Sequence, residues 1–308
     1  MAVAAEFMPR VKRNEPMGRH SSWHAGGAAE LYFSPRDRND LAAFLRSLPP
    51  ATPIHWVGLG SNLLVRDGGL KGVVVATQGA LERLERVSQN TVYCEAGTTC
   101  ARLAKQCVRW GLGAAEFFAG IPGTVGGALA MNAGAFGGET WRHVVEVETL
   151  DAQGRERTRG ASEYEVAYRH VRAPVPDEWF VAARLRFERN PAASEAEVHA
   201  LLAQRRATQP IGSWSCGSVF VNPPGDHAAR LIEAAGLKGT RFGDAEVSQK
   251  HANFIINHGK ASAAEIERLI HHVQATVQQL FGVHLKLEVR IIGESQEVRA
   301  PDLARAGH

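Results

Sequence analysis

The chain lacks most of the marks that would direct its function elsewhere. Its net charge is only +3 over 308 residues with 13 histidines, too little for the diffuse basic footprint of a nucleic-acid binder. Aromatic and basic residues are not interleaved as they are in a single-strand groove. Four cysteines (Cys94, Cys100, Cys107 and Cys216) form no CxxC pair and no zinc spacing. Reduced thiols, a cytoplasmic location and no metal site are therefore expected. Met1 to Arg10 contains Glu6 and no apolar core segment, so no secretory leader is expected. There is no fixed-period repeat, no low-complexity block and no GxGxxG fingerprint. What remains is an ordinary globular composition, 44% hydrophobic and 22% charged, long enough for two or three compact units.

What the chain does have is glycine in one place. Ala119 to Gly138 packs seven glycines and five alanines into twenty residues without a charge. Such a run offers exposed backbone rather than bulk, and backbone N–H groups that approach closely suit a phosphate or pyrophosphate. The 22 uncharged residues from Phe117 to Gly138 are long enough to cross a bilayer, and Gly123 and Gly127 make a GxxxG pair. Gly, Ala, Pro122 and Asn132 dominate that stretch, however, and no second span exists, so no membrane association is expected. Ile121, Val125, Leu129, Met131 and Phe136 punctuate it too often for a flexible linker. A second glycine turn, Gly58-Leu-Gly-Ser-Asn62, follows the strand-like Ile54–Val57. Together they read as two loops gripping one extended anionic cofactor, unlike the single phosphate-binding turn of a Rossmann site.

The periodicity predicts helices over 39–48 and 99–110, the latter with Gly111 beyond its C-cap. Further helices are predicted from capping boxes at Ser194 and Ser262 and across 226–236. Strands are predicted at 54–57, 64–65, 72–76, 144–150 and 179–187. The segment 284–292 alternates strictly, with Leu285, Leu287, Val289 and Ile291 on one face and His284, Lys286, Glu288 and Arg290 on the other. This order lacks a regular βαβα alternation, so the fold class is α+β, with a boundary near Asn190-Pro191.

Read one at a time, the candidate chemical residues are weak. Arg169 is a natural fork for a carboxylate but lies in a basic stretch. Ser218 follows Gly217 without GxSxG, and a strand-entry serine is the better local reading. Glu288, between two cations on its strand face, fits an exposed charge ladder equally well. His251 at a strand mouth fits a hydrogen-bonded structural role.

Taken in order, the pieces resemble the UDP-N-acetylenolpyruvoylglucosamine reductases, the MurB family. The matching blocks are Gly58–Val65, Ala119–Gly127, Asn132–Ala135, Tyr168-Arg169, Gly217–Phe220, Ala234–Gly239, Val247–Asn257 and Leu287–Gly293. The resemblance implies a two-subdomain FAD-binding module of the PCMH type, over 1–85 and 86–190, followed by an α+β substrate domain over 191–308. It implies an UDP-N-acetylmuramate dehydrogenase of peptidoglycan precursor synthesis. In that reaction NADPH reduces non-covalent FAD, hydride leaves flavin N5 and a serine gives the proton. Arg169, Ser218 and Glu288 are the implied catalytic residues, with the Glu288 pKa expected to be raised. The implied cofactor contacts are Gly58, Gly60, Ser61, Asn62, Leu63, Gly120, Ile121, Pro122, Gly123, Gly126, Gly127, Asn132, Gly134 and Ala135. Tyr168, Asn222, Lys250 and His251 are the implied contacts of the small-molecule substrate, UDP-N-acetylenolpyruvoylglucosamine. Only 48 residues separate Arg169 from Ser218, as in the shorter subtype without a tyrosine loop, and a monomer is expected.

Two positions depart from the family pattern. His24 stands where the family has Arg, and Thr208 where a lysine is expected, which leaves Arg205, Arg206 or Lys250 for the diphosphate. The rival readings are another flavoenzyme on the same scaffold, such as an alcohol or sugar oxidase, and an FAD-holding regulatory protein.

Overall fold

The computed structural model describes residues 3–296. The N-terminal sheet is built from β1 (Val11–Pro16), β2 (Ala28–Phe33), β3 (Ile54–Val57) and β5 (Leu70–Ala76), with α1 (Arg38–Ser47) crossing between β2 and β3. A short β4 (Leu63–Val65) stands apart from it. The sheet order is β1-β2-β5-β3, and β5 runs parallel to both neighbours. A central parallel strand is covered on both faces, and five consecutive residues of β5, from Gly72 to Ala76, are buried accordingly. Phe33, Phe44, Leu41, Val73 and Val75 form the core between this sheet and α1.

The second unit is an antiparallel sheet in the order β12-β11-β15-β7-β6. Its strands are β6 (Leu84–Arg86), β7 (Thr91–Glu95), β11 (Val144–Asp151), β12 (Glu156–Gly160) and β15 (Glu178–Arg186). Between β7 and β11 come α2 (Cys100–Arg109), β8 (Leu112–Gly113), α3 (Val125–Met131) and a small hairpin of β9 (Gly134–Ala135) and β10 (Gly138–Glu139). Helix α2 buries Cys100, Leu103, Ala104, Cys107 and Val108, the i, i+3, i+4, i+7, i+8 stripe of an amphipathic helix. Gly111, one residue past its C-cap, takes φ +67° as foreseen. A second hairpin, β13 (Glu165–Ala167) and β14 (His170–Arg172), carries Tyr168-Arg169 as its two-residue turn, and β16 (Glu188–Arg189) pairs with β8.

The C-terminal unit holds α4 (Glu195–Thr208), α5 (Ala228–Ala234), a three-stranded sheet of β17 (Arg241–Phe242), β18 (Ala245–Val247) and β19 (Ile255–Asn257), α6 (Ala263–Phe281) and β20 (Arg290–Ile292). Ile266, Leu269, Ile270, Val273 and Val277 turn the buried stripe of α6 onto that sheet. The Ser262–Glu265 capping box forms as expected. Two distant links tie the unit to the first: β20 pairs in parallel with β4, and the Asp67 carboxylate accepts the Ala263 and Ala264 N–H groups at 3.0 and 2.9 Å.

Three expectations need correction. The Ser194 side chain makes no cap hydrogen bond; the start of α4 is held instead by Arg109 on α2, whose Nε lies 3.0 Å from Glu195. The strand expected over 284–292 is confined to Arg290–Ile292, because β4 offers an edge only there. Upstream of it Leu285 and Val289 are buried while Leu287 is 36% exposed, so the alternation breaks. The glycine run is not all exposed backbone either. It folds as a 3-10 turn and α3, and it places Phe118, Val125 and Leu129 in the core. No helix of the described residues is long and apolar enough to cross a membrane.

Candidate active site

The site begins with Arg169, whose φ of +54° puts it in the left-handed region at the second position of its turn, a place where Gly or Asn is favoured. A non-glycine residue held there costs strain that the surroundings must impose. Here they do. Its guanidinium donates to the carbonyls of Gly134 at 2.9 Å and Asn132 at 3.4 Å, and its Nε lies 3.0 Å from Glu288 Oε1. That N–H is not aligned for a hydrogen bond to the carboxylate, so the contact is an ion pair. Tyr168 stacks over the guanidinium at 5.3 Å.

Glu288 sits just upstream of β20. Its N–H donates to Val219 O at 2.8 Å, and its carbonyl accepts from Asn62 Nδ2 at 2.9 Å. Val219 follows Ser218, so the acid and the serine lie on adjacent segments, and Asn62 of the first glycine turn is bonded to the acid's own backbone. Burial raises the Glu288 pKa against the pull of Arg169, as expected, because desolvation disfavours the carboxylate.

Arg169, Ser218 and Glu288 line one cavity of about 290 Å³, together with Ser61, Asn62, Gly120, Ile121, Pro122, Gly134 and Ala135. An adjoining cleft of about 170 Å³ shares Ser61, Asn62 and Ile121 and adds Gly58, Gly60, Leu63, Gly123 and Gly127. A further cleft of about 300 Å³ shares Gly58 and Gly127 and adds Gly126. The three form a continuous trough between the two glycine loops, the shape an extended dinucleotide needs. Two glycines test that fit. A Cβ on Gly127 would meet only Thr124 Oγ1, at 3.8 Å, so the chain's own packing does not demand a glycine there. The space belongs to the trough. At Gly60, by contrast, φ is +60° and a Cβ would lie 1.9 Å from His20 O, so that glycine is needed by the turn itself.

Not every predicted residue reaches the trough. Asn132 is buried at φ +47°, where its side chain accepts from Trp141 N and donates to Ala167 O. It braces the Arg169 hairpin from behind. Tyr168 is 48% exposed. Asn222 accepts the Ala228 N–H at the start of α5, and Lys250 Nζ donates to Arg206 O. The His251 ring accepts from Asn253 N, and its pKa is lowered by burial. These four substrate candidates do not line the three cavities: backbone groups engage Asn222, Lys250 and His251, and Tyr168 lies against the Arg169 guanidinium. Sequence reading missed Gln209, Phe136 and Phe254 in the cavity, and Trp56 and Arg290 in the clefts, while Arg205, one of its three diphosphate candidates, does line the cavity. Phe136 lay in the glycine run, Phe254 in the Val247–Asn257 block and Arg290 in the last strand segment, where it read as part of a charge ladder, but none of them was singled out for chemistry. His24, at φ +54°, packs against Trp214 with ring centroids 4.4 Å apart.

Two family models match the chain. Residues 29–159 match a family model described as an FAD binding domain. Residues 209–292 match one described as the UDP-N-acetylenolpyruvoylglucosamine reductase C-terminal domain. A UDP-N-acetylenolpyruvoylglucosamine reductase from Alkalilimnicola ehrlichii is 59% identical over 298 residues, covering 96% of this chain and 99% of that one. The chain belongs to the UDP-N-acetylenolpyruvoylglucosamine reductase family. A reductase of the same name from Methylococcus capsulatus is 55% identical over 284 residues. Among solved structures, the family member from Thermus caldophilus superimposes with a TM-score of 0.75 at 31% identity, over 92% of this chain and 98% of that one. The α+β architecture, the FAD-binding module and the flavin oxidoreductase class of this reductase family member follow from these matches.

Proposed function

We propose that this chain reduces the enolpyruvyl ether of UDP-N-acetylenolpyruvoylglucosamine to UDP-N-acetylmuramate, with NADPH as the electron source, in the cytoplasm. The observation that carries this reading is the Arg169–Glu288 ion pair at 3.0 Å, which shares one cavity with Ser218 at the end of the trough. The chemistry that FAD supplies when bound is hydride transfer through N5 to the terminal carbon of the enol ether. Ser61, Asn62, Gly123, Gly127 and Arg290 would hold the cofactor along the trough. Residues 1–85 and 86–190 would be its two subdomains and 191–308 the substrate domain, whose last twelve residues lie outside the described chain.

The protein's own groups supply the rest. Hydride addition spreads negative charge from C2 into the substrate carboxylate, and Arg169 stands ready to balance it. Its position is fixed beforehand by two carbonyls, so little reorganisation is needed when the charge appears. Burial raises the Glu288 pKa and so favours the protonated form, which is the form that can donate a hydrogen bond to the enediol-like oxygen. Ser218 delivers a proton to C2. A hydroxyl is a weak acid, but a carbanion-like carbon is a strong base, so the two are matched.

The test is anaerobic. The purified protein is expected to be yellow, to bleach with NADPH and to recover its colour on adding the enolpyruvyl substrate. Bleaching without recovery would favour an oxidase-type flavoenzyme on the same scaffold. A protein that takes up no FAD would overturn the reading of both loops.

A further inference from the structure

A cavity of about 880 Å³, against about 290 Å³ for the catalytic one, takes no part in the chemistry described above. Its size is that of a ligand site, and Phe136, in the turn between β9 and β10, lines both cavities. Part of its lining is aromatic. The His143 ring lies 5.6 Å from Phe117 and 5.0 Å from Phe187, near-parallel to each. His143 Nδ1–H donates to Arg186 O at 3.1 Å, and burial lowers the pKa, so the neutral ring keeps Nε2 as an acceptor.

Glu116 is the group that the fold leaves unexplained. It lines the cavity and is only 7% exposed, yet among the described residues no hydrogen bond or ion pair holds its carboxylate. A buried carboxylate without a partner is costly, and a cation is its natural complement. Arg186 and Arg189 line the same cavity, are exposed, and face no carboxylate at ion-pair distance among the described residues. Arg142 is drawn to Glu139 at 3.7 Å. Glu188 and Glu197 are exposed, where water screens them.

We propose that this cavity binds a zwitterionic amino acid with an aromatic side chain, its ammonium on Glu116 and its carboxylate on Arg186 and Arg189. A simple anion would satisfy the arginines, which water already solvates, and leave Glu116 bare. A simple cation would meet Glu116 but also the repulsion of three guanidiniums. A ligand that carries both charges answers both, and an arginine fork fits its carboxylate with two hydrogen bonds. The rings of Phe117, His143 and Phe187 offer faces and edges to the aromatic side chain and to the ammonium.

The experiment titrates the holoenzyme with para-fluorophenylalanine and reads binding by fluorine NMR. Two analogues serve as controls: the N-acetyl form, which has no ammonium, and the amide, which has no carboxylate. Acetylation is expected to weaken binding roughly 10- to 100-fold, the scale of a charged hydrogen-bonded contact, and Glu116→Gln to do the same for the free amino acid. The N-acetyl form should bind wild type and E116Q equally, since the contact it lacks is the one the variant removes. The amide, and the combined Arg186→Ala and Arg189→Ala variant, should each lose about 5-fold, because these guanidiniums are solvated. E116Q should keep its FAD absorbance, and its Tm should not fall, because an unpaired charge has been removed. If E116Q does not fold, the three probes on wild type and the arginine variant still decide. No binding to wild type, or equal binding of all three probes, would overturn the proposal. Binding that E116Q leaves unchanged and UDP displaces would place the probe in the catalytic cavity and overturn it too. None of these readouts needs turnover, so the test stands whether or not the reductase reading does.

Discussion

Glu288 is 12% exposed in its side chain and 3.0 Å from a guanidinium, and the two influences pull its proton affinity in opposite directions. Desolvation wins, so the folded-state pKa lies above the usual 4.5. Between 4.5 and that raised value the folded chain binds more protons than the unfolded one. The stability from this group is therefore present at low pH and is lost as pH rises through the window. Glu288→Gln cannot titrate. The difference in Tm, wild type minus variant, should fall as pH rises from about 4.5, and a rising difference would contradict the raised pKa. In turnover assays the same variant should lose about 10²–10³-fold in kcat, the scale of one preorganised transition-state partner. Residue types and order made Arg169, Ser218 and Glu288 legible only as a set. Burial is what separates Glu288 from a surface charge ladder, and burial is a property of the assembled cavity. Asn132 was misplaced for the converse reason: its amide satisfies Trp141 N and Ala167 O, partners that a sequence does not display.

At the scale of elements, the most informative contact is Asp67 at the start of α6. Two orphan N–H groups, Ala263 and Ala264, donate to one carboxylate from a loop nearly 200 residues away, and Arg66 makes a bidentate pair with Glu267 on the same helix at 2.8 and 3.0 Å. The carboxylate also meets the positive end of the helix dipole. Asp67→Ala should cost about 1–2 kcal/mol, the scale of a lost N-cap. In urea this would appear as a lower midpoint at unchanged slope, while a wild-type midpoint would mean water replaces the contact at no cost. The helix itself was readable, since Ser262, Glu265 and the apolar stripe to Val277 are local signals. The Ser194 box was equally plausible by pattern, yet its hydroxyl makes no cap bond. The same holds for 284–292: alternation is local, but a strand needs an edge to pair with, and β4 supplies only three residues of one.

For the whole molecule, the four thiols report on how completely the cores close. Cys94, Cys100, Cys107 and Cys216 are all free and buried. Burial pushes Cys94 and Cys216 up to about 12, and Cys100 and Cys107 are raised as well. Since the thiolate is the reactive form, the native protein should release no colour from a thiol reagent at neutral pH and four equivalents after denaturation. Early reaction of Cys216 alone would mean that the C-terminal unit opens, because its sulfur lies against the carbonyls of Gly60 and Leu63. The sequence by itself determined the α+β class, most helix positions and the two glycine loops, carried by local spacing, and its ordered motifs offered Arg169, Ser218 and Glu288 as the proposed reaction set. Tertiary structure alone decided which side chains share the cavity. Asn62 and Glu288, 226 positions apart, meet through one hydrogen bond, and of the three basic candidates Arg205, Arg206 and Lys250 only Arg205 lines the cavity. Pairing and desolvation depend on what lies opposite in space, and no local pattern along the chain encodes that.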